Sequence, residues 1–155
     1  KTLLLKAIDA SYFKNSGQFH FLEFMQLIHN NLFEVSKNKN PLALVANRIA
    51  KNYEILFIDE FQIEDIADAM IIGSVIESLV NKGIRIMLSS NAHPNNLYKD
   101  GLQRNKFLPA IEFILSNFMI FIATKRSFKN PCISTMLVTP HNSFFSRFVD
   151  PRRIC

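Results

Sequence analysis

Apolar positions along the chain recur at two spacings, about four residues apart or in unbroken short runs, with polar breaks between them. Leu4, Leu5, Ile8 and Tyr12 fall near one face and predict a helix over Leu3–Tyr12, ended by Lys14-Asn15-Ser16-Gly17. Gln18–Phe21 reads as a short strand. Leu22, Met25, Ile28, Leu32 and Val35 give the next helix its stripe. Asn40-Pro41 has the form of an N-cap followed by proline in the first turn, and Leu42, Val45, Ile49 and Ala50 continue that helix. Glu54–Ile58 is a buried strand. Ile66, Ala69, Met70, Val75, Ile76 and Leu79 mark a helix that stops at Asn81-Lys82-Gly83. Ile84–Leu88 is a second buried strand, followed by a polar loop from Asn91 to Gly101 with a turn at Pro94. A helix through Ile111 and Leu115 and an apolar strand over Phe118–Ile122 complete the pattern. Strands alternating with helices predict an α/β fold with a parallel sheet.

The strand Ile55-Leu56-Phe57-Ile58 ends in two adjacent carboxylates, Asp59 and Glu60. A fully apolar run is how a parallel strand buried on both faces reads, and ligands bind at the carboxyl edge of such sheets. In P-loop ATPases the first acid at such a tip holds Mg²⁺, and the second orients the attacking water. Lys1-Thr2 matches the last two positions of the phosphate-loop pattern G-x-x-x-x-G-K-[ST], with a helical pattern after it. A Lys-Thr pair occurs often by chance, and only its place in this order gives it weight. By spacing alone, Asn91 after Ser89-Ser90 reads as turn chemistry, and Arg104 as a solvated surface residue. Their functional alternatives are a contact to γ-phosphate or water for Asn91, and an arginine reaching a neighbouring subunit's nucleotide for Arg104.

Composition narrows the classes. The net charge is +5, but residues 1–123 hold twelve basic and twelve acidic side chains. The excess lies in Lys125, Arg126, Lys129, Arg147, Arg152 and Arg153, against Asp150 alone. A basic face for nucleic acid on the folded body is therefore not supported. No run has the apolar length of a membrane span, and the first residues lack a signal-peptide layout. Cys132 and Cys155 have no metal-type spacing, which fits a reducing, cytoplasmic setting. His20, His29, His93 and His141 form no ligand pair, and the fifteen Phe follow core periodicities. After Ala123 periodicity is lost and Pro131, Pro140 and Pro151 interrupt the chain, so 124–155 is expected to be an irregular basic tail beside a core at 1–123.

The string Asp59-Glu60-Phe61-Gln62-Ile63-Glu64-Asp65-Ile66-Ala67-Asp68-Ala69-Met70 resembles the acidic motif of the ZapE-like ATPases, a branch of the AAA-type P-loop proteins. Ser90-Asn91, Pro94, Leu97 to Arg104 and Phe107-Leu108-Pro109 resemble the next block of that family. Phe19-His20-Phe21, Phe24-Met25 and His29 resemble its second-strand segment. The resemblance covers Lys1 to about Ile122. It implies a three-layer parallel sheet with helices on both faces, and ATP and Mg²⁺ as cofactors. Lys1 would then contact the β- and γ-phosphates, and Thr2 and Asp59 would hold the metal. Glu60 would polarise the water, Asn91 would be the sensor, and Arg104 would act in trans within a homo-oligomer. The resemblance also implies remodelling of a protein partner in cell division or at the inner membrane. It favours the functional readings of Asn91 and Arg104 over those from spacing alone.

Two departures from the family pattern carry expectations. The Gly-rich loop and its strand are expected ahead of Lys1, and a lid block after the last strand. On this pattern the chain is a truncated member, weakly active or inactive, with the strands beside the absent central strand left unpaired. The competing readings are a non-enzymatic remnant and a helicase-loader-type ATPase associated with DNA.

Overall fold

The computed structural model describes residues 15–125 and 132–139. The helix expected over Leu3–Tyr12, together with Lys1 and Thr2, lies outside the described residues. Strands β1 (Ser16–His20), β2 (Ile55–Asp59) and β3 (Arg85–Ser90) pair in parallel in that order. Between them run α1 (Phe21–Val35), α2 (Pro41–Asn52) and α3 (Ile66–Asn81). Two single-turn helices, Pro94–Asn96 and Arg104–Lys106, lead into α4 (Leu108–Asn117) and β4 (Met119–Lys125). These elements follow the predicted alternation.

The helix ends follow the chemistry of the sequence. The Asn40 side chain accepts from the Ala43 N–H at 3.3 Å, with Pro41 in the first turn of α2. Asp65 caps α3 by accepting from the Ala67 N–H at 2.6 Å. Gly83 stands just past α3 at φ +80°, a conformation open to a residue without Cβ.

Residues 132–138 depart from the expected irregular tail. They form β5 (Cys132–Val138), which pairs antiparallel with both β3 and β4, giving the sheet order β1-β2-β3-β5-β4. The sheet is therefore mixed, with β4 parallel to β1–β3 and β5 the antiparallel strand between them. Pro131 and Pro140 flank this strand in the sequence rather than breaking it. Both edges facing β5 are paired, contrary to the expectation of unpaired central edges.

Alternation along the strands sorts the core into two faces. Leu56, Ile58, Ile86, Leu88 and Leu137 join α1, α2, α3 and α4 in one large cluster. Ile55, Phe57, Met87 and Val138 form the other, with Phe121 and Met136 packed against them. All four described helices thus share one face. This is what right-handed crossovers running the same way across a sheet produce. Phe24, Phe57, Phe61 and Phe107 are fully buried, as core periodicity predicted, and burial of each is worth about 1.5–3 kcal/mol; Phe33, off the apolar stripe of α1, is instead 85% exposed.

Candidate functional site at the carboxyl edge

Parallel pairing aligns the tips of β1, β2 and β3, and the register sets His20 beside Asp59. One step beyond the Ile58–Leu88 pair, Ser89 takes the corresponding place on β3. The buried Ser89 hydroxyl donates to Asp59 Oδ1. The chain after Asp59 then turns sharply, with Glu60 in the left-handed region at φ +53°. Such a conformation costs a residue with Cβ on the order of 1–3 kcal/mol and persists where surrounding contacts fix it. Those contacts are present. The Glu60 N–H donates to Asp59 Oδ1 at 3.0 Å, the Phe61 N–H to Ser89 O at 2.7 Å, and the Ser90 hydroxyl to Phe61 O at 2.8 Å. Phe61 is fully buried and anchors the turn from below, edge-on to Phe21.

Glu60 projects its carboxylate to His20, with Oε2 at 2.8 Å from Nε2. The ring is held from its other side. His20 is the N-cap of α1, its Nδ1 accepting from the Leu22 N–H at 3.4 Å, while its own N–H donates to Glu23 Oε2 at 3.0 Å. An Nδ1 that accepts a hydrogen bond leaves the proton of the neutral imidazole on Nε2, facing Glu60.

An open cavity of about 470 Å³ lies beside this edge. Its walls are the loop 60–64 after β2 and the loop 90–101 after β3. Glu60 and Asn91, two of the expected site residues, both line it; Asp59 does not. The second loop was expected to be a polar turn, but Leu97 and Tyr98 are buried in it. Tyr98 at φ +51° lays its ring against Gly101, where an added Cβ would meet ring carbons at 2.1 Å. The Tyr98 hydroxyl donates to Leu102 O at 3.0 Å, and the ring meets Phe107 edge-on at 6.1 Å. This folded unit carries Arg104, whose Nη2 donates to Asn95 O at 2.7 Å. Arg104 Nε is buried without a hydrogen-bond partner among the described residues.

The structure therefore brings Asp59 and Glu60 to one strand tip, sets Asn91 in the neighbouring loop, and keeps Arg104 on its own loop. Lys1 and Thr2 lie outside the described residues. Ser89 was read only within the Ser89-Ser90-Asn91 turn and His20 only within the second-strand segment; neither was assigned a contact to Asp59 or Glu60. The signal for His20 was its spacing to Glu23, a capping-box pattern before an apolar run; its contact to Glu60 spans forty positions and leaves no local trace. Among the described residues no group of three or more His, Cys, Asp or Glu side chains could hold a metal by itself. The Asp59 carboxylate and its hydroxyl neighbour are hard oxygen donors that suit Mg²⁺, which binds through one or two carboxylates and keeps several waters.

An acid-tipped strand between parallel neighbours, backed by helices, is an arrangement consistent with an α/β nucleotide-binding domain. The chain belongs to the AFG1-like ATPase family, whose family model matches residues 1–129. It is similar to cell division protein ZapE of Escherichia coli, with 40% identity over 95 residues, 61% of this chain and 25% of that protein. Lactation elevated protein 1 homolog B of Danio rerio is 36% identical over 103 residues, 59% of this chain and 20% of the relative. An uncharacterised protein of Schizosaccharomyces pombe is 33% identical over 103 residues, 64% of this chain and 23% of the relative. The matched part spans about a quarter or less of these relatives. No solved structure matches.

Proposed function

We propose that the carboxyl edge at Asp59 and Glu60 binds Mg-ATP and hydrolyses it. The observation that carries this reading is the pair of carboxylates on one parallel strand tip in a family of ATPases, each held differently. Asp59 is fixed by Ser89 at the sheet edge and would hold Mg²⁺ together with Thr2; Lys1 would meet the phosphates. Bound there, the metal supplies charge neutralisation at the phosphates. Glu60 is the next residue, more exposed, and takes the role of the base that orients water. Asn91 shares the cavity with Glu60 and is assigned to the γ-phosphate or the water.

In the conformation described, Glu60 is engaged by His20 and Arg104 by the Asn95 carbonyl. Slow basal turnover follows, until a neighbouring subunit or a partner releases both. The proposal extends to remodelling of a protein partner in the cytoplasm or at the membrane surface; similarity to a cell division protein supports a setting in cell division. No described helix is long and apolar enough to cross a membrane. A second reading, a chain that keeps the fold without nucleotide chemistry, is favoured by one observation: the cavity lies beside Asp59 rather than over it. Calorimetric titration with Mg-ATP separates the two. Binding weakened by Asp59→Asn supports the ATPase reading, and no binding supports the second.

A further inference from the structure

Among the described residues, three that carry a Cβ hold positive φ. Glu60 is one and belongs to the strand tip. The other two, Tyr98 at φ +51° and Gln103 at φ +54°, stand in the loop that carries Arg104. Left-handed backbone is unfavourable for such residues, persists only where contacts hold it, and gathers at sites that switch. Contacts do hold this loop. The Tyr98 hydroxyl donates to Leu102 O at 3.0 Å, and the Gly101 N–H donates to Tyr98 O at 3.2 Å. After Gln103 a single turn follows, with the Lys106 N–H on Gln103 O at 2.9 Å and the Phe107 N–H on Arg104 O at 2.8 Å. Leu97, Tyr98 and Phe107 are buried and fix both ends of the segment. Its middle stands clear of the core: Leu102 is 71% exposed, and Asp100, Gln103 and Asn105 are exposed. The segment therefore has room to change shape between two fixed ends.

The loop holds Arg104 incompletely. Nη2 donates to the Asn95 carbonyl at 2.7 Å, but Nε is buried with no hydrogen-bond partner among the described residues. A buried donor of a charged group left unpaired raises the free energy of the conformation that hides it. Two left-handed residues and one unpaired donor thus weigh against the closed loop, while the Tyr98 and Arg104 hydrogen bonds weigh for it. Each contribution is on the scale of a single hydrogen bond. Opposing contributions of similar size are what a two-state element needs.

We propose that residues 98–104 are a latch that stows Arg104 on its own subunit, with Tyr98 and Gln103 as positioning residues. Opening takes Gln103 out of the left-handed region and breaks the Tyr98–Leu102 bond, which frees the guanidinium to reach outward. The use of the freed Arg104 rests on the ATPase reading; the latch itself does not.

Hydrogen exchange on the full chain, without nucleotide, reads the latch through the amides of Gly101 and Lys106. Gln103→Asn suits the left-handed region and should slow both by roughly two- to fivefold. Gln103→Val opposes that region and should speed both. Tyr98→Phe should also speed both, because it removes the hydroxyl bond and leaves the ring against Gly101. Phosphate release by the active homo-oligomer is the second readout. Gln103→Asn should lower it, and Tyr98→Phe should raise it by about two- to tenfold. Both changes should vanish in an Arg104→Ala background, which a merely structural loop would not show. Unchanged exchange in Gln103→Asn and Tyr98→Phe overturns the proposal whatever turnover does. So do turnover changes that persist without Arg104, or Gln103→Asn and Tyr98→Phe shifting turnover in the same direction. Exchange shifts in the expected directions, with no turnover in any variant or in the wild type, support the latch and remove the ATPase reading.

Discussion

The single residue under most constraint in the loop beside the site is Gly101. The Tyr98 ring occupies the space of a Cβ there, and Tyr98 is itself fixed by its bond to Leu102 O and its contact with Phe107. Gly101→Ala forces the ring away and should cost about 1–3 kcal/mol, the usual range for overpacking. In a chain of this length that is a fall in melting temperature of roughly 2–4 °C per kcal/mol, read by calorimetry. At this scale the sequence discloses Asp59 and Glu60, because a buried parallel strand needs an unbroken apolar run and only its tip is free for acids. It does not disclose that Glu60 adopts the left-handed turn, that Ser89 donates to Asp59, or that His20 holds Glu60. Each of these is a contact between strand tips brought together by parallel pairing, with no periodicity to report it.

Elements are legible where their signals are local. Capping by Asn40, the stop at Gly83 and the apolar runs of β2 and β3 all appear where predicted, because caps and burial act within a few residues. Asp65 was read only as part of the acidic motif, yet its carboxylate accepts from the Ala67 and Asp68 N–H groups at the start of α3. Asp65→Ala should therefore cost about 1 kcal/mol, with Asp65→Asn or Asp65→Ser retaining most of it, measured by urea denaturation. β5 is the element that local signals missed. Its run Cys-Ile-Ser-Thr-Met-Leu-Val is short and mixed, and its flanking prolines read as breaks. What makes it a strand is its pairing with β3 on one side and β4 on the other, a property of the assembled sheet rather than of the segment.

For the whole molecule, the family and the α/β class were legible, and the mixed sheet was not. Arg104 belongs to this scale: it is tethered to Asn95 O on its own loop, and the trans role proposed for it would operate across a subunit interface. In an active homo-oligomer, Arg104→Ala should lower turnover by on the order of 10³-fold while leaving Mg-ATP affinity in place. Mixing that variant with Glu60→Gln should recover part of the activity, because each subunit supplies what the other lacks. Confirmed mixed oligomers with no recovery at any ratio would remove the shared-site reading.

The central claim is that one strand tip divides metal binding and water activation between Asp59 and Glu60. The most direct measurement pairs Mg-ATP titration with phosphate release on the wild type, Asp59→Asn and Glu60→Gln. The account predicts that Glu60→Gln binds Mg-ATP as the wild type does and loses turnover by about 10²–10⁴-fold, while Asp59→Asn weakens binding itself. Turnover by Glu60→Gln at the wild-type rate, or Mg-ATP affinity indifferent to Asp59→Asn, would contradict it.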